Sequence, residues 1–330
     1  MLTKIQIQDI ANQRTLISDL MDADLLEFCK IANQRYRDGD PIISDEDYDF
    51  IFSLELSKRL PNNPFLKKIE SENVGFSEEK IKLPKKMLST DKAYSWEEIN
   101  KWLERIAKFS SEIDYSLSDI QIKGTAKLDG FAGYDDGIKL YTRGDGSKGS
   151  DISRVFDRGL GVFNNSARGQ GPGEIVIKRS YFEKHLSNHF EFPRNFQASL
   201  IKEKELDSFA IDAISEKAAL FVPFAQLPQW LGSIDEFSSQ FLDIVGQLEG
   251  GVDFDIDGVV FEIVNPELKE YMGSNRKFHR WQIAFKENKE KAQVKVISVT
   301  AQVGRTGKIT PVAELEPTQL SGAPIYRATG

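Results

Sequence analysis

Residues 121–142 read QIKGTAKLDGFAGYDDGIKLYT, and this stretch decides which kind of fold the chain adopts. Upstream of Ile120 the apolar residues follow helical spacing, whereas from here on they alternate as they do in strands. Asp136-Gly137 lies between two short alternating runs, which is the sequence signal of a hairpin with antiparallel arms. We therefore predict an antiparallel sheet from about residue 121, preceded by a helical N-terminal region.

The hairpin also decides how a glycine-rich segment after it is interpreted. Residues 143–149 (RGDGSKG) have the Gly-x-Gly-x-x-Gly spacing of a dinucleotide-binding turn. That turn opens a parallel βαβ unit, whereas the strand before these glycines is the second arm of a hairpin. No Gly-Lys-Ser/Thr follows, which excludes a Walker loop. We therefore reject a Rossmann turn. Two interpretations of the segment stay equally open, namely a loop that contacts a phosphate or nucleotide and an ordinary turn.

Helices and further strands can be placed on both sides of this stretch. Ser44 begins a capping box for a helix that runs to about Leu60, and Ser95 begins a second one for an amphipathic helix. Downstream, helical patterns occur at Tyr181–His189 and Ile234–Gln247. Strand candidates are Glu174–Lys178, Ser208–Ile214, Asp257–Val264 and Trp281–Lys286. The alternating residues after about 291 are too few to close a small barrel. We predict an α+β protein.

Composition limits the classes of protein that the chain can represent. With 40% hydrophobic and 28% charged residues, it is globular rather than disordered or membrane-embedded. Its net charge of −8 argues against a protein that coats DNA by neutralising phosphates, although a local basic cleft is compatible with it. The single cysteine, Cys29, fits a reducing compartment. We expect a cytoplasmic location and no membrane partner, because no signal peptide and no long apolar run is present.

Two groups of residues are candidates for chemistry. His185 and His189 are spaced as metal ligands on a helix can be, but no third ligand stands near them, so a solvated helix face is the better interpretation. Lys127-Leu128-Asp129-Gly130 stands at the end of a strand, where Lys127 and Asp129 project to the same side. A lysine is a nucleophile where its surroundings favour the neutral amine. Taken alone, this tetrapeptide is also compatible with a surface hairpin.

Eight short motifs in a fixed order strengthen the interpretation of Lys127 as a nucleophile. They are 127–130 (KLDG), 142–146 (TRGDG), 173–176 (GEIV), 193–195 (PRN), 255–260 (DIDGVV), 281–286 (WQIAFK), 302–307 (QVGRTG) and 310–313 (TPVA). This set resembles the bacterial NAD-dependent DNA ligases over nearly the whole chain. The resemblance implies a helical NMN-binding subdomain at residues 1–70, a nucleotidyltransferase domain with a mixed or antiparallel sheet at 71–290, and the start of an OB-fold at 291–330.

The resemblance also implies roles for individual residues in the nucleotidyltransferase domain. Lys127 attacks the α-phosphate of NAD, forms lysyl-AMP and releases NMN, with Mg²⁺ as an expected cofactor. Asp129 helps to hold the lysine and the ribose, and Lys286 lies against the α-phosphate. The remaining positions are Arg143 at the sugar–phosphate end, Glu174 at the ribose hydroxyl or a metal-bound water, Ser89 near the adenosine, and Asp257 in the nucleotide site. Cations around a developing phosphate charge suit phosphoryl transfer.

For the N-terminal region the resemblance implies recognition of NMN. Asp45, Tyr48 and Asp49 stand at i, i+3 and i+4, so they share a helix face, and an aromatic ring with two carboxylates suits a cationic nicotinamide. The alternative is that the carboxylates complement the helix N-terminus while Tyr48 packs in a core. The family's paired aromatic residues are Arg35 and Tyr36 here, so half of a stacking platform is missing.

Several positions depart from the family's pattern. Thr125 replaces a glutamate two residues before the nucleophile, Ile201 replaces an arginine, and Ile211, in the strand predicted there, replaces an aromatic residue that stacks on adenine. Glu262 replaces a phosphate-contacting lysine. A carboxylate about 4 Å from a phosphate charge costs on the order of 4 kcal/mol at an effective dielectric of about 20. Either Glu262 faces into the site and slows adenylation, or the extra residue in 261–264 turns it outward while another lysine substitutes. We favour the first outcome, since the Asp257–Lys286 spacing shows little sign of a register shift.

The leading interpretation is therefore the adenylation portion of an NAD-dependent DNA ligase. The resemblance ends inside the OB-fold, before the family's zinc-finger, helix-hairpin-helix and BRCT regions, so we expect weak binding to nicked double-stranded DNA. We also expect a monomer. One alternative is a catalytically weakened module that binds NAD or DNA, as Thr125 and Glu262 suggest. Another is an ATP- or GTP-using nucleotidyltransferase, against which the Asp45–Asp49 stretch argues.

Overall fold

The computed structural model describes residues 2–67, 80–203, 205–287, 294–303, 309–320 and 323–329. These residues form two compact units. One unit contains residues 2–36, 41–67 and the described residues from 294 onward, and the other contains residues 37–40 and 80–287. The domain boundaries predicted at residues 70 and 290 lie outside the described residues, so the division into three domains stays a prediction.

The N-terminal part of the first unit is helical, as its pattern predicts. Its helices are α1 (Lys4–Ala11), α2 (Asp22–Arg37), α3 (Asp45–Asp47), α4 (Leu54–Arg59) and α5 (Pro64–Lys67). A π-helical turn, Tyr48–Ser53, joins α3 to α4. Ser44 caps α3 by accepting the amide N–H of Asp47 at 3.0 Å, which is the capping interaction that the sequence predicts. Leu25, Phe28 and Leu56 are fully buried in the core of these helices.

The second unit contains twelve described strands and eight described helices. The strands are β1 (Ile81–Lys82), β2 (Ser89–Ala93), β3 (Gln121–Leu128), β4 (Phe131–Asp135), β5 (Leu140–Thr142), β6 (Lys148–Gly149), β7 (Gly161–Val162), β8 (Gly171–Ile177), β9 (Ala219–Pro223), β10 (Gln229–Ser233), β11 (Ile256–Ile263) and β12 (Phe278–Phe285). The helices are α6 (Trp96–Ser111), α7 (Arg154–Asp157), α8 (Arg179–Tyr181), α9 (Pro193–Lys202), α10 (Ser208–Ser215), α11 (Ile234–Ser239), α12 (Phe241–Gly250) and α13 (Pro266–Met272).

Two five-stranded sheets organise this unit. The first sheet has the strand order β10-β3-β11-β12-β2, and the second has the order β5-β4-β8-β9-β7. Strands β4 and β5 pair antiparallel across the predicted Asp-Gly turn, which confirms the hairpin and the rejection of a Rossmann turn. Consecutive strands β3 and β4 belong to different sheets, so the chain passes from one sheet to the other within Asp129-Gly130.

Each sheet buries one face against helices. Under the first sheet, Trp102 and Ile106 of α6 and Phe237 of α11 pack against Phe261 of β11. The amphipathic helix predicted after Ser95 is therefore a core helix, and its N-cap Ser95 accepts the amide N–H of Glu98. Under the second sheet, the core includes Phe196 of α9 and Phe221 of β9.

One predicted strand is wrong. Residues 208–214 form helix α10, because Asp207 accepts the amide N–H of Ala210 at 2.8 Å and caps a helix. Ala210 and Ala213 then face the core at helical spacing, whereas Ile211 is 54% exposed. Ile211 therefore lies on a helix, so the strand on which its adenine-stacking position was inferred does not exist. The helix predicted over Tyr181–His189 is present as the end of α8 and a π-helical turn that continues to Leu186. His185 lies in this turn and is exposed.

The described residues near the C-terminus form a three-stranded antiparallel sheet. Its strands are β13 (Val296–Val303), β14 (Ile309–Leu320) and β15 (Ala323–Thr329), in the order β13-β14-β15. Three strands do not close a barrel, as the count of residues predicts. Across the described part of the chain, no helix combines the length and the apolar composition that crossing a bilayer requires.

Candidate active site

Lys127 is the penultimate residue of β3, one step before the chain leaves the first sheet. Lys123, Thr125 and Lys127 alternate with buried residues along this strand, so the three side chains share the face of the sheet opposite the core. Lys127 Nζ lies 2.5 Å from Oδ2 of Asp257 on the neighbouring strand β11. The side chain of Asp257 is 7% exposed and that of Lys127 is 26% exposed, so the amine is held by a buried carboxylate but reachable from solvent.

A bulge in β11 brings Asp257 onto the face of Lys127. Ile256 pairs with Leu128 and Val259 pairs with Ala126, so β11 has one more residue than β3 between these pairs. Without the bulge, Asp257 would share the core face of Val259, because side chains alternate along a strand. The sequence gives no sign of this register shift.

Gly258 is the residue that makes the bulge possible. Its φ of +106° is a backbone conformation that residues with a side chain rarely adopt. A Cβ atom at this position would lie 2.2 Å from the carbonyl oxygen of Phe285 on β12, which is far closer than a contact allows. Glycine is therefore required at this position of the DIDGVV motif, because only a residue without a side chain lets β11 bulge against β12.

Lys286 contacts the same carboxylate. It follows β12, and its amide N–H donates to the carbonyl of Ala93 at 3.0 Å, which extends the pairing with β2. Its side chain is 4% exposed, and its Nζ forms an ion pair with Oδ1 of Asp257. The structure thus brings together three residues that the sequence predicts in the site, with one carboxylate between two ammonium groups.

The Asp129-Gly130 junction is held by helix α9. Arg194 Nη1 donates to the carbonyl of Gly130 and lies 3.5 Å from Oδ1 of Asp129. Gln197 Nε2 donates to the carbonyl of Asp129 at 3.2 Å. Both side chains are buried, so α9 fixes the backbone immediately after the candidate nucleophile. Arg194 belongs to a motif that the sequence singled out, whereas nothing in the sequence pointed to Gln197.

The other predicted site residues of this unit lie around the same junction. Glu174 of β8 is 8% exposed, and its side chain lies against Gly130, where an added Cβ would be 2.8 Å from the glutamate Cγ. Arg143 follows β5, and its Nη1 donates to Oγ of Ser89 on β2 at 3.2 Å. Ser89 and Arg143, which are far apart in sequence, are thus brought into contact.

Glu262 lies on the same face of the first sheet as Lys127, but it is paired with cations. It stands directly opposite Lys123 across β11 and β3, and the two side chains form an ion pair of 2.5 Å. Lys269 Nζ lies 3.4 Å from the same carboxylate. The electrostatic cost that we expected assumes an unpaired carboxylate beside a phosphate. Because Glu262 is paired with two lysines, that cost is not the one that applies here. Sequence reasoning missed Lys123.

Asp255 is a carboxyl group of this region whose pKa is shifted upward. Burial, and secondarily the nearby Asp129 carboxylate, raise the pKa of Asp255 to about 6. Its carbonyl accepts the amide N–H of Asp129 at 2.9 Å, so its backbone also holds the loop that follows Lys127.

The residues predicted to recognise NMN all lie in the first unit. Tyr36 is near the end of α2, Asp45 begins α3, and Tyr48 and Asp49 begin the π-helical turn. Tyr48 is half-buried against the helical core, whereas Asp49 is 2% exposed. The π-helical turn contains both Tyr48 and Asp49, and π-helical turns are frequent at functional sites.

Comparison with known proteins identifies relatives of this chain. The profile of the NAD-dependent DNA ligase adenylation domain matches residues 76–210, and that of the NAD-dependent DNA ligase OB-fold domain matches residues 293–329. The DNA ligase of Ruthia magnifica subsp. Calyptogena magnifica is 63% identical over 314 residues, which are 95% of this chain and 51% of that protein. The DNA ligase of Vesicomyosocius okutanii subsp. Calyptogena okutanii is 61% identical over 330 residues, or 100% of this chain and 52% of that protein.

A third relative, the DNA ligase of Shewanella baltica, is 51% identical over 321 residues, which cover 97% of this chain and 49% of that protein. The chain therefore spans about half the length of the curated relatives that it matches. Through its adenylation domain and the OB-fold residues that follow, the chain belongs to the NAD-dependent DNA ligase family.

Proposed function

We propose that this chain carries out the first step of an NAD-dependent DNA ligase, in which an enzyme lysine takes AMP from NAD. The observation that carries the proposal is the contact of Lys127 Nζ with Asp257, whose other oxygen binds Lys286. This arrangement offers one accessible amine in a fixed position and a second cation directly beside it. Phosphoryl transfer depends mainly on such positioning and on cations around the developing charge.

In the proposed step, the neutral amine of Lys127 attacks the α-phosphorus of NAD. A nitrogen–phosphorus bond forms, the bond from the α-phosphorus to the bridging oxygen breaks, and its electron pair leaves with NMN. The bonded nitrogen then releases a proton to solvent, which gives the neutral phosphoramidate nitrogen. The ammonium of Lys127 must first lose a proton. Asp257 Oδ2, its ion-pair partner at 2.5 Å, is placed to accept it. Lys286 stabilises the charge on the phosphate oxygens.

The residues around the Asp129-Gly130 junction hold the nucleotide in this proposal. Arg194 and Gln197 keep the junction rigid through the carbonyls of Gly130 and Asp129. Arg143 and Ser89, in mutual contact, bind the sugar–phosphate part, and Glu174 binds the ribose.

A magnesium ion is part of the proposal. Asp129, at the junction, and Glu174, against Gly130, carry carboxylate oxygens, the ligand type that Mg²⁺ prefers, so these two residues would be able to hold the ion. When bound, it would supply positive charge to the phosphates of the dinucleotide.

The first unit supplies the recognition of the leaving group. Asp45, Tyr48 and Asp49 combine an aromatic ring with two carboxylates, which suit the cationic nicotinamide ring and its ribose, and Tyr36 adds a second ring. These residues make NAD, and not ATP, the proposed donor of AMP. Transfer of the AMP to a 5′-phosphorylated DNA nick, a monomeric state and a cytoplasmic location belong to the same proposal for the whole protein.

Incubation with NAD or with ATP, each with Mg²⁺, followed by intact-mass measurement, tests the proposal. We expect the wild-type chain to gain the mass of AMP from NAD only. Lys127→Arg is the matched control, because it keeps a cation beside Asp257 but removes the nucleophile, and it should gain no mass. An adduct on Lys127→Arg would overturn the assignment of the nucleophile, and an adduct from ATP alone would overturn the choice of donor.

One observation favours a second candidate function. Thr125 and Glu262 differ from the residues of the ligase pattern, which fits a module that binds NAD or DNA with weakened catalysis. Such a module would bind NAD but would gain no mass in the same experiment.

A further inference from the structure

The site face of the first sheet carries three parallel rows of side chains across β3, β11 and β12. One row contains the phosphate-binding candidates Lys127, Asp257 and Lys286. Next to it lies a row of small, uncharged residues, in which Thr125 pairs with Val260 and Val260 pairs with Ala284. A third row follows, in which Glu262 pairs with Lys123 on one side and with Gln282 on the other.

The spacing of these rows matches the parts of a nucleotide. Residues two apart on a strand are separated by about 7 Å, so Lys123 and Glu262 lie about 13 Å along the sheet from Lys127. That is too far for contact with a phosphate bonded to Lys127, but it leaves the span of a ribose and a base. Thr125 and Val260 are half-buried and carry no charge, so they form a flat surface between the two charged rows.

The outer row has the hydrogen-bonding groups that a base edge needs. The side chain of Glu262 is 14% exposed and that of Lys123 is 29% exposed, so the pair is largely desolvated. Lys123 uses one of its three N–H donors on Glu262. The carboxylate has about four acceptor positions and contacts Lys123, Lys269 and Gln282, so both groups retain capacity for a ligand. Gln282 Nε2 donates to the second carboxylate oxygen at 3.3 Å and orients it.

Adenine and its 6-oxo analogue hypoxanthine present opposite patterns at this edge. Adenine offers an N6–H₂ donor beside the N1 acceptor, whereas hypoxanthine offers the O6 acceptor beside an N1–H donor. A carboxylate next to an ammonium group can satisfy the adenine edge, with Glu262 accepting from N6–H₂ and Lys123 donating to N1.

We propose that Lys123 and Glu262 form the pair that recognises the adenine edge of the nucleotide whose phosphate is held at Lys127. The proposal rests on the proposed function, and it deepens it by naming specificity residues that replace the glutamate missing at Thr125. It also assigns Glu262 to the base rather than to the phosphate. The competing explanation is a cross-strand ion pair that only stabilises the sheet.

Equilibrium binding of AMP and of IMP, measured by calorimetry on the full chain, tests the proposal. We expect the wild-type chain to bind AMP about 10- to 100-fold more tightly than IMP, which is the discrimination that a well-placed pair gives between bases. Glu262→Gln and Lys123→Met should each lower this ratio to about 3-fold or less, because an amide serves as donor or acceptor and methionine cannot donate a hydrogen bond. A purely stabilising ion pair would not change the ratio.

Asp151→Asn is the matched control, because it removes the carboxylate of another lysine pair of the same unit, Lys139–Asp151 at 3.0 Å, and should leave the ratio unchanged. Lys123→Met serves as the second variant if Glu262→Gln does not fold. An unchanged ratio in the folded variants, or wild-type binding of IMP that is as tight as that of AMP, would overturn the proposal. Selective AMP binding without an NAD adduct would instead support this pair and refute the proposed catalytic step.

Discussion

Substitution of Gly258 by alanine tests how the site is assembled. The added Cβ would lie 2.2 Å from the carbonyl oxygen of Phe285 and 3.2 Å from Cγ of Lys286, at a φ of +106°. Backbone strain of this kind costs about 1–3 kcal/mol, and insertion of a methyl group into a packed contact costs a further 1–3 kcal/mol or so. We therefore expect Gly258→Ala to lower the free energy of unfolding by about 2–6 kcal/mol.

The same substitution should also disturb the chemistry. Asp257 reaches Lys127 only because the bulge turns it onto that face, so a shifted bulge moves the carboxylate away from both lysines. We expect the single-turnover rate of adduct formation from NAD to fall at least about 100-fold, as misplacement by about 1 Å does in well-ordered sites.

Urea unfolding followed by tryptophan fluorescence measures the loss of stability. All four tryptophans, Trp96, Trp102, Trp230 and Trp281, lie in the second unit, so the signal reports on the unit that contains Gly258. Gly246→Ala in helix α12 is the control, because beyond the backbone of its own helix and its chain neighbours no described atom lies within 4 Å of the added Cβ. This substitution should stabilise the helix by up to about 1 kcal/mol. Gly258→Ala within about 0.5 kcal/mol of wild type, with an unchanged rate, would refute this reasoning.

The other predictions concern charge and leaving-group recognition. Because the pKa of Asp255 is raised to about 6, the folded protein keeps a proton that the unfolded chain releases near pH 4, so stability falls as the pH rises between these values. Asp255→Asn should therefore be more stable than wild type by about 2–3 kcal/mol at pH 7.5 but not at pH 4 in urea unfolding. Asp257→Asn should slow adduct formation at least about 10-fold in single-turnover kinetics, whereas Asp151→Asn should not change it. Tyr48→Ala should raise the NAD concentration needed for adduct formation. It should equally impair the reverse reaction, in which NMN takes AMP from the lysine and NAD forms. Unchanged kinetics in both directions would assign Tyr48 to the helical core alone.

Local sequence patterns predicted parts of the fold, whereas the geometry of the candidate site could not be predicted from them. Strand alternation predicted that Val260 and Glu262 share one face of a strand, and the Asp-Gly signal predicted the antiparallel hairpin, because both features depend on local patterns. The bulge at Gly258 could not be predicted, since a one-residue excess on β11 is visible only against the register of its partner β3. The Lys123–Glu262 pair was missed for the same reason, because it depends on which residues of two distant strands stand opposite each other.

Helix α10 shows the opposite failure. The apolar residues Phe209, Ala210 and Ile211 suggested a strand, but a short apolar run does not distinguish a strand from a helix. The Asp207 cap, which decided the structure, was present in the sequence and was overlooked.

The central claim is that Lys127 forms a covalent bond to AMP taken from NAD, and mapping of that bond tests it most directly. The wild-type chain would be incubated with NAD and Mg²⁺, digested at a pH that preserves the phosphoramidate, and sequenced by tandem mass spectrometry. The account predicts AMP on the peptide that contains Lys127 and its removal when excess NMN is added before digestion, with NAD as the product. AMP on another residue, or no adduct on a folded protein that binds NAD, would contradict the account.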